Sequence, residues 1–291
     1  MINRRELLNI AATAGVASVL AADSARTAEQ ESTVIEIVDT NVSLFQWPFR
    51  RLPLDDTTAL VKKLRSLGIA EAWAGSFDGV LHRDVAGVNQ RLAVECKRYP
   101  ELIPIGSINP ELPDWEEDLR RCIETHDMPG IRLHPNYHGY TLDDSRFARL
   151  LKLATAKGRF VQIAATMEDV RTQHPLVRAA DVDLKPLPDV MTRVRGANVQ
   201  ILNYRPSSPL LEKLAKAPGI HFGTARADGS DAVPKLVERV PNGRVMFGTH
   251  APFLIPEAAL IRVHESGQLD EPALRSVLST NARQVLAKAG T

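Results

Sequence analysis

Eight times along this chain a short apolar run rich in Val and Ile is followed by a stretch with helical spacing, and few folds accommodate that alternation. The pairs are 36–44 with 57–66, 70–76 with 84–98, 102–108 with 115–125, 130–134 with 145–157, 160–165 with 187–195, 199–202 with 210–216, 220–224 with 233–239, and 245–248 with 257–266 and 272–287. Runs this short and this apolar suit parallel strands buried on both faces. The helical stretches carry one apolar stripe each, as with Leu60, Leu64 and Leu67, or Leu150, Leu151 and Ala154. Gly68, Pro100, Gly158, Gly196, Pro218 and Gly243 stand where helices should stop.

Eight such units predict an α/β chain closed into a (β/α)8 TIM barrel. An open doubly wound sheet is the alternative, but no Gly-x-Gly-x-x-Gly follows the first strand and no Walker-type phosphate loop occurs. With 44% hydrophobic and 24% charged residues, the chain can bury a full core. Its 36 basic residues balance 35 acidic ones without a long block of one sign, which argues against nucleic acid or an anionic membrane as partner and favours a small molecule. The oligomeric state is not readable.

Residues 1–28 have the layout of an export leader. Arg4 and Arg5 precede an alanine-rich apolar run from Ile10 to Ala22 and then small residues, resembling a twin-arginine signal that directs a folded protein to the periplasm or outside the cell. The run is too short to span a bilayer once mature residues begin, so no integral span is expected. The barrel is assigned to residues 33–289. Cys96 and Cys122, the only cysteines, fall on apolar helix faces and read as two buried thiols rather than a disulfide.

The densest chemistry lies in the segment 130–140, where an apolar strand opens into a loop carrying Arg132, His134, Tyr137, His138 and Tyr140. In a barrel the carboxyl ends of the strands build the site. The polar groups there include Asn41 and Ser43, Asn203 and Arg205, Arg226, and His250. Asp78, Asn109 and Asp228 read instead as helix caps or Asx turns. His134 and His250 follow apolar strands directly and are candidates for proton transfer, since imidazole titrates near neutral pH. Arg132, Arg205 and Arg226 are candidates for clamping a carboxylate, and Tyr137 and Tyr204 for donating to an oxyanion. Two insertions flank this end: 46–53, with Trp47, Phe49 and two arginines, as a wall or cover, and 167–188, a long connection with His174 near its stem.

The stretches Val38-Asp39-Thr40-Asn41-Val42-Ser43-Leu44, Gly130 to Pro135, Phe247-Gly248-Thr249-His250-Ala251-Pro252-Phe253 and Asn281-Ala282-Arg283 resemble the amidohydrolase-related (amidohydrolase 2) family of metal-dependent hydrolases and decarboxylases. That resemblance implies a metal held by His-x-His on the first strand, histidines on strands five and six, and an aspartate on strand eight. Here those positions carry Asn41 and Ser43, Ala164, Asn203 and His250. Amide, hydroxyl and methyl groups are poor ligands for zinc or do not ligate at all, so the expectation is a site with no metal and no other cofactor. A relocated site of His134, His138, His174 and His250 keeps a divalent metal such as zinc as the alternative. The resulting reading is a hydrolase of a small carbonyl compound, a lactone or other carboxylated molecule, working without the family's metal. His134, His250, Arg132 and Tyr137 would act in catalysis, and Asn41, Ser43, His138, His174, Asn203, Arg205 and Arg226 would bind substrate. The competing reading is a non-catalytic barrel that binds a small ligand or a protein.

Overall fold

The computed structural model describes residues 35–206, 209–265 and 267–289, so the leader expected at 1–28 lies outside the described residues. From Glu36 onward the chain forms one compact unit. Its strands are β1 (Ile37–Leu44), β2 (Ile69–Ser76), β3 (Leu102–Ser107), β4 (Gly130–Leu133), β5 (Phe160–Ala164), β6 (Val199–Leu202), β7 (Ile220–Gly223) and β8 (Val245–Met246), in sheet order β1 to β8. Every neighbouring pair is parallel. Closure follows from the backbone: Thr40 N donates to Phe247 O at 3.0 Å and His250 N to Asn41 O at 2.9 Å, joining the chain after β8 to β1. The fold is the TIM barrel that the alternation predicts.

The helices run α1 (Thr57–Ser66), α2 (Asp78–Leu81), α3 (Val85–Cys96), α4 (Trp115–Glu124), α5 (Pro135–His138), α6 (Ser145–Ala156), α7 (Leu187–Arg193), α8 (Leu210–Lys216), α9 (Ala232–Arg239), α10 (Pro256–His264), α11 (Glu271–Arg275) and α12 (Asn281–Ala289). Side-chain carboxylates cap several of them, Asp56 on α1, Asp84 on α3, Asp144 on α6 and Asp270 on α11, satisfying amides that the first turn leaves unpaired. Cys96 and Cys122 are buried free thiols, both pushed up to about 12 by burial. Among the described residues no helix is long and apolar enough to cross a membrane.

Three local expectations change. The loop after β4 contains α5, a single helical turn entered by Pro135 and closed by Gly139 at φ 80°. The helix expected over 272–287 is split by a π-turn at Ser276–Thr280. That turn serves the short β8: Val277 O accepts from Phe247 N at 2.9 Å, and Asn281 Nδ2 donates to Val245 O at 2.8 Å. The C-terminal helix thus takes up hydrogen bonds at β8, which ends at Met246 rather than Gly248.

Candidate active site

Besides an apolar cluster of Val38, Trp73, Ile105, Phe160 and Met246, the barrel holds polar side chains, and they occupy two levels. The deeper one is organised by Arg132, which is only 2% exposed. Its Nε donates to Gln162 Oε1 at 2.8 Å, its Nη1 to Val42 O at 2.8 Å and Ser43 Oγ at 3.3 Å, and its Nη2 to Trp73 O at 3.1 Å. Gln162 Nε2 in turn donates to Thr40 O and to Gln200 Oε1, both at 2.8 Å, while Gln200 Nε2 donates to Thr40 Oγ1 at 2.6 Å. Gly75 makes room, since a Cβ there would lie 2.6 Å from Arg132 Nη1. Burial pushes the guanidinium down to about 9 against the opposing pull of Asp39, which leaves it charged at neutral pH. Asp39 is raised by burial, although Thr249 Oγ1 at 2.5 Å and the amides of Asn41 and Thr249, each at 3.0 Å, hold its oxygens.

This placement corrects the assignment of Arg132 as a carboxylate clamp. All three guanidinium nitrogens are already committed to strands β1, β2 and β5, so it braces the barrel and supplies a fixed positive charge beneath the mouth. Asn41 and Ser43 are similarly engaged. Asn41 Nδ2 donates to Asn203 Oδ1 at 2.8 Å, Asn203 Nδ2 to Thr166 O at 2.8 Å, and Ser43 accepts from Arg132.

The upper level, at the carboxyl ends of the strands, brings together His134, Tyr137, His138 and His250. His134 and His250 are each 1% exposed. The rings of His134 and His138 are 5.9 Å apart, edge to face. His250 Nε2 lies 2.8 Å from Met167 O and His138 Nε2 lies 3.0 Å from Gly79 O. A carbonyl can only accept, so in both rings the proton is assigned to Nε2 and Nδ1 keeps a bare lone pair. Burial is the first cause of the low proton affinity of all three: His250 falls to about 3, His138 to about 4, and His134 well below the usual value, with His138, Arg132 and His250 adding to the effect. The rings are neutral at pH 7. His250 also sits at φ 58°, a left-handed conformation held by its backbone bond to β1.

A cover of aromatic rings closes this level. Trp47 packs edge-on against Phe49, Phe77, Tyr137 and Phe253 at centroid distances of 5.5, 5.4, 6.1 and 5.1 Å. Phe253 stacks on His250 at 5.1 Å, and Phe49 on His174 at 5.3 Å. Arg50 lies 5.5 Å from the Phe253 ring and pairs with the buried Glu168. Of the eleven buried side-chain atoms without a hydrogen-bond partner among the described residues, six belong here: Trp47 Nε1, His134 Nδ1, Tyr137 Oη, His138 Nδ1, Tyr140 Oη and His250 Nδ1. Burial pushes Tyr137 up to about 12, so it remains a protonated donor.

Beside the cover opens a cavity of about 610 Å³ lined by Glu168, Asp169, Arg171, Asp181, Arg205 and Arg226, among others. Asp169 is taken by Arg171 at 2.9 Å and Asp228 by Arg262 at 3.0 Å, leaving the half-exposed Arg205 only loose contacts of 3.7 and 3.5 Å with those same carboxylates. Arg226 is 6% exposed, its Nη1 is without a partner among the described residues, and burial followed by the nearby Arg205 lowers its proton affinity. Arg205 and Arg226 thus line a shared cavity. His174 does not join the other histidines: it is half-buried at the edge of the cover, and its Nδ1 accepts from Leu176 N at 3.2 Å. Sequence reasoning missed Gln162 and Gln200. Their signal was present, since both interrupt apolar strands in the same Val-Gln-Ile setting and they pair in register.

Residues 44–288 match the family model described as Amidohydrolase, and the chain belongs to that family. Among solved structures it is similar to 2,6-dihydroxybenzoate decarboxylase from Rhizobium, at 12% identity and TM-score 0.65, over 87% of this chain and 98% of that one. It is also similar to 5-carboxyvanillate decarboxylase from Sphingomonas paucimobilis, at 12% identity and TM-score 0.67, over 87% and 99%. A third, dihydroxybenzoic acid decarboxylase from a Polaromonas species with bound manganese and the inhibitor 2-nitroresorcinol, gives 11% identity and TM-score 0.66 over 87% and 97%. At such identities the likeness establishes the fold. No curated protein sequence matches significantly.

Proposed function

We propose that this chain is an enzyme acting on a small carboxylated molecule at the barrel mouth, and that its reaction is hydrolysis of a carbonyl bond such as that of a lactone. The observation that carries the reading is the gathering of buried, unpartnered polar atoms on His134, Tyr137, His138, His250 and Trp47. Buried polar atoms nearly always have partners, so a cluster without them at the end of the strands marks groups reserved for a ligand. Arg226, with Arg205 beside it, would take the carboxylate from the adjoining cavity. His250 Nδ1 would accept a proton from water, with the Met167 carbonyl keeping its other nitrogen protonated. Tyr137 and the Trp47 indole are the donors placed for the oxyanion. A base held near 3 is weak, but an anionic substrate beside it raises its proton affinity.

The manganese of the Polaromonas structure raises the question of a metal here. The donor set does not fit one. Asn41 donates to Asn203 and Asn203 to Thr166 O, Ser43 accepts from a guanidinium that would repel a cation, and no group of three or more His, Cys, Asp or Glu among the described residues is arranged to hold an ion. Proton transfer is therefore assigned to the chain's own side chains.

The test is a panel of aromatic and aliphatic lactones, esters and carboxylic acids, assayed with manganese added and with chelator, monitoring both hydrolysis and release of carbon dioxide. Hydrolysis that is indifferent to chelator and lost in His250→Asn is expected. Carbon dioxide release that depends on manganese would replace this reading with decarboxylation. Tight binding of panel members without turnover would leave the non-catalytic barrel.

A further inference from the structure

His134 and His250 are each 1% exposed, so no substrate reaches them while the aromatic cover stays in place. The residues of that cover differ in how firmly their backbone is held. Phe77 N donates to Leu44 O at 3.2 Å, Tyr137 N to His134 O at 3.1 Å, and Leu254 N, next to Phe253, to His250 O at 3.2 Å. Residues 45–51, which carry Trp47 and Phe49, have no main-chain hydrogen bond to the rest of the barrel among the described residues. They form a strap fixed at its two ends. It leaves β1 at Phe45, whose φ of 69° is a left-handed conformation that costs an aromatic residue energy, and element ends of this kind are where hinges lie. It is anchored again at Leu52, whose amide donates to Asp55 Oδ2 at 3.2 Å beside the Arg51 Nη2 bond to Asp55 Oδ1 at 2.9 Å.

Between those ends side chains hold the strap down. Trp47 packs in an apolar cluster with Phe77, Val80 and Met167. Arg50 pairs with Glu168 and lies 5.5 Å from the Phe253 ring, which stacks on His250 at 5.1 Å. Glu168 also belongs to the wall of the 610 Å³ cavity that holds Arg205 and Arg226. The ion pair therefore stands between that cavity and His250: one member faces the cavity, and the other rests on the ring that covers the histidine. The Glu168 side chain is 2% exposed against 41% for Arg50, so separating the two leaves a buried carboxylate without its cation, and the closed state is favoured. A cover that opens only for entry keeps water away from the groups beneath it.

We propose that residues 45–52 are a lid over the histidine site, pivoting at Phe45, and that the Arg50–Glu168 pair is its latch, whose release joins the cavity to His250. The inference rests on the reading of His250 as the working base, since a bracing histidine needs no access.

The full-length protein is treated with diethyl pyrocarbonate, which acylates unprotonated imidazoles, and the rate at each histidine is followed by peptide mass spectrometry. His264 is exposed and gives the rate of a free ring, while His221, buried near the start of β7 and away from the mouth, reports opening of the whole barrel. In the parent, His134 and His250 should react at least about tenfold more slowly than His264. In Arg50→Met their rates should rise about tenfold with His221 unchanged, because modification of a closed site follows the population of its open form. That variant leaves Glu168 without its cation, so the double variant Arg50→Gln with Glu168→Gln, which strands no charge, is run beside it and carries the test if the single variant does not fold. Rates at His134 and His250 that the variants leave unchanged would overturn the latch. So would an equal rise at His221, or loss of the fold, in both variants, since the pair would then brace the whole barrel. Parent rates at His134 and His250 equal to that of His264 would overturn the lid. Modification involves no turnover, so the lid can fail while hydrolysis stands, and hydrolysis can fail while the lid stands.

Discussion

The two polar levels inside the barrel are both largely buried and adjacent along the strands, yet they treat their side chains in opposite ways. In the deeper level every nitrogen of Arg132 has an acceptor, and Gln162, Gln200 and Thr40 hand hydrogen bonds from one strand to the next. In the upper level His134, His138, His250, Tyr137 and Trp47 each keep an atom with no partner among the described residues. Burial is therefore a poor guide to role here. Satisfaction separates the two: a saturated network stabilises and specifies the fold, whereas leaving several donors and acceptors unpaired costs stability that only a ligand would recover. The comparison makes Arg132 a brace and, on the proposed reading, His250 a working group, although both are charged or polar residues beside strand ends.

The sharpest way to break this contrast is at its deeper side. Arg132→Met should leave Val42 O, Trp73 O and Gln162 short of donors and remove the charge that opposes the raised proton affinity of Asp39. A loss of about 3–5 kcal/mol is expected by chemical denaturation. A variant within about 0.5 kcal/mol of the parent would show that the lower network does not hold the barrel.

Acid is the next largest probe, and it acts on the upper level. The folded state holds His138 near 4 and His250 near 3, below the ordinary 6.5, so between those values the unfolded chain binds protons that the fold refuses. Stability should be complete above about pH 6.5 and decline as the pH falls toward 4, by about 3 kcal/mol at most for each ring. Urea titrations across that window on the parent and on His138→Asn measure the ring's share. An unchanged slope in the variant would mean that His138 is better hydrated than its surroundings indicate.

These contrasts mark what the sequence discloses and what it withholds. The eight strands and their helices were legible because parallel strands buried on both faces read as apolar runs, and amphipathic helices repeat every three to four residues. That polar groups gather at the strand ends was legible too. The direction of Arg132 was not: a strand position says which face a side chain leaves by, but the place of its guanidinium depends on carbonyls from β1 and β2 and on the gap at Gly75. The aromatic cover was half legible, since Trp47 and Phe49 stood out as a wall. Their closure over His250 depends on Phe77 and Phe253 from distant segments. The π-turn was hidden because it answers a hydrogen-bonding need of β8, not a preference of its own residues.

At the level of chemistry, His250→Asn sharpens the comparison. Asparagine tolerates the left-handed φ of 58° that alanine would meet only with strain, so the fold should remain intact. Turnover should nevertheless fall by about a hundredfold or more with the loss of the base, a loss typical of general-base removal. The measurement is kcat on the best substrate from the panel, beside a thermal melt. A variant that melts well below the parent while retaining kcat would transfer His250 to the bracing group.

The smallest expected effect is the most discriminating, because it removes one atom. Tyr137 is packed edge-on against Trp47 by its ring, and its hydroxyl is buried with no partner among the described residues. In Tyr137→Phe the ring and its packing remain while the unpaired hydroxyl goes. Deleting a satisfied buried hydroxyl would cost about 1 kcal/mol, but an unsatisfied one contributes nothing to lose, so stability should stay within about 0.5 kcal/mol or rise. If Tyr137 donates to the oxyanion, kcat should fall by about tenfold or more with little change in KM, because that bond strengthens only as charge develops. Stability and catalysis then move independently at one oxygen atom. A clear loss of stability in Tyr137→Phe, with kcat unaltered, would mean that the hydroxyl finds a partner in solution, and the distinction between the saturated and unsaturated levels would fail at the residue where it is most directly tested.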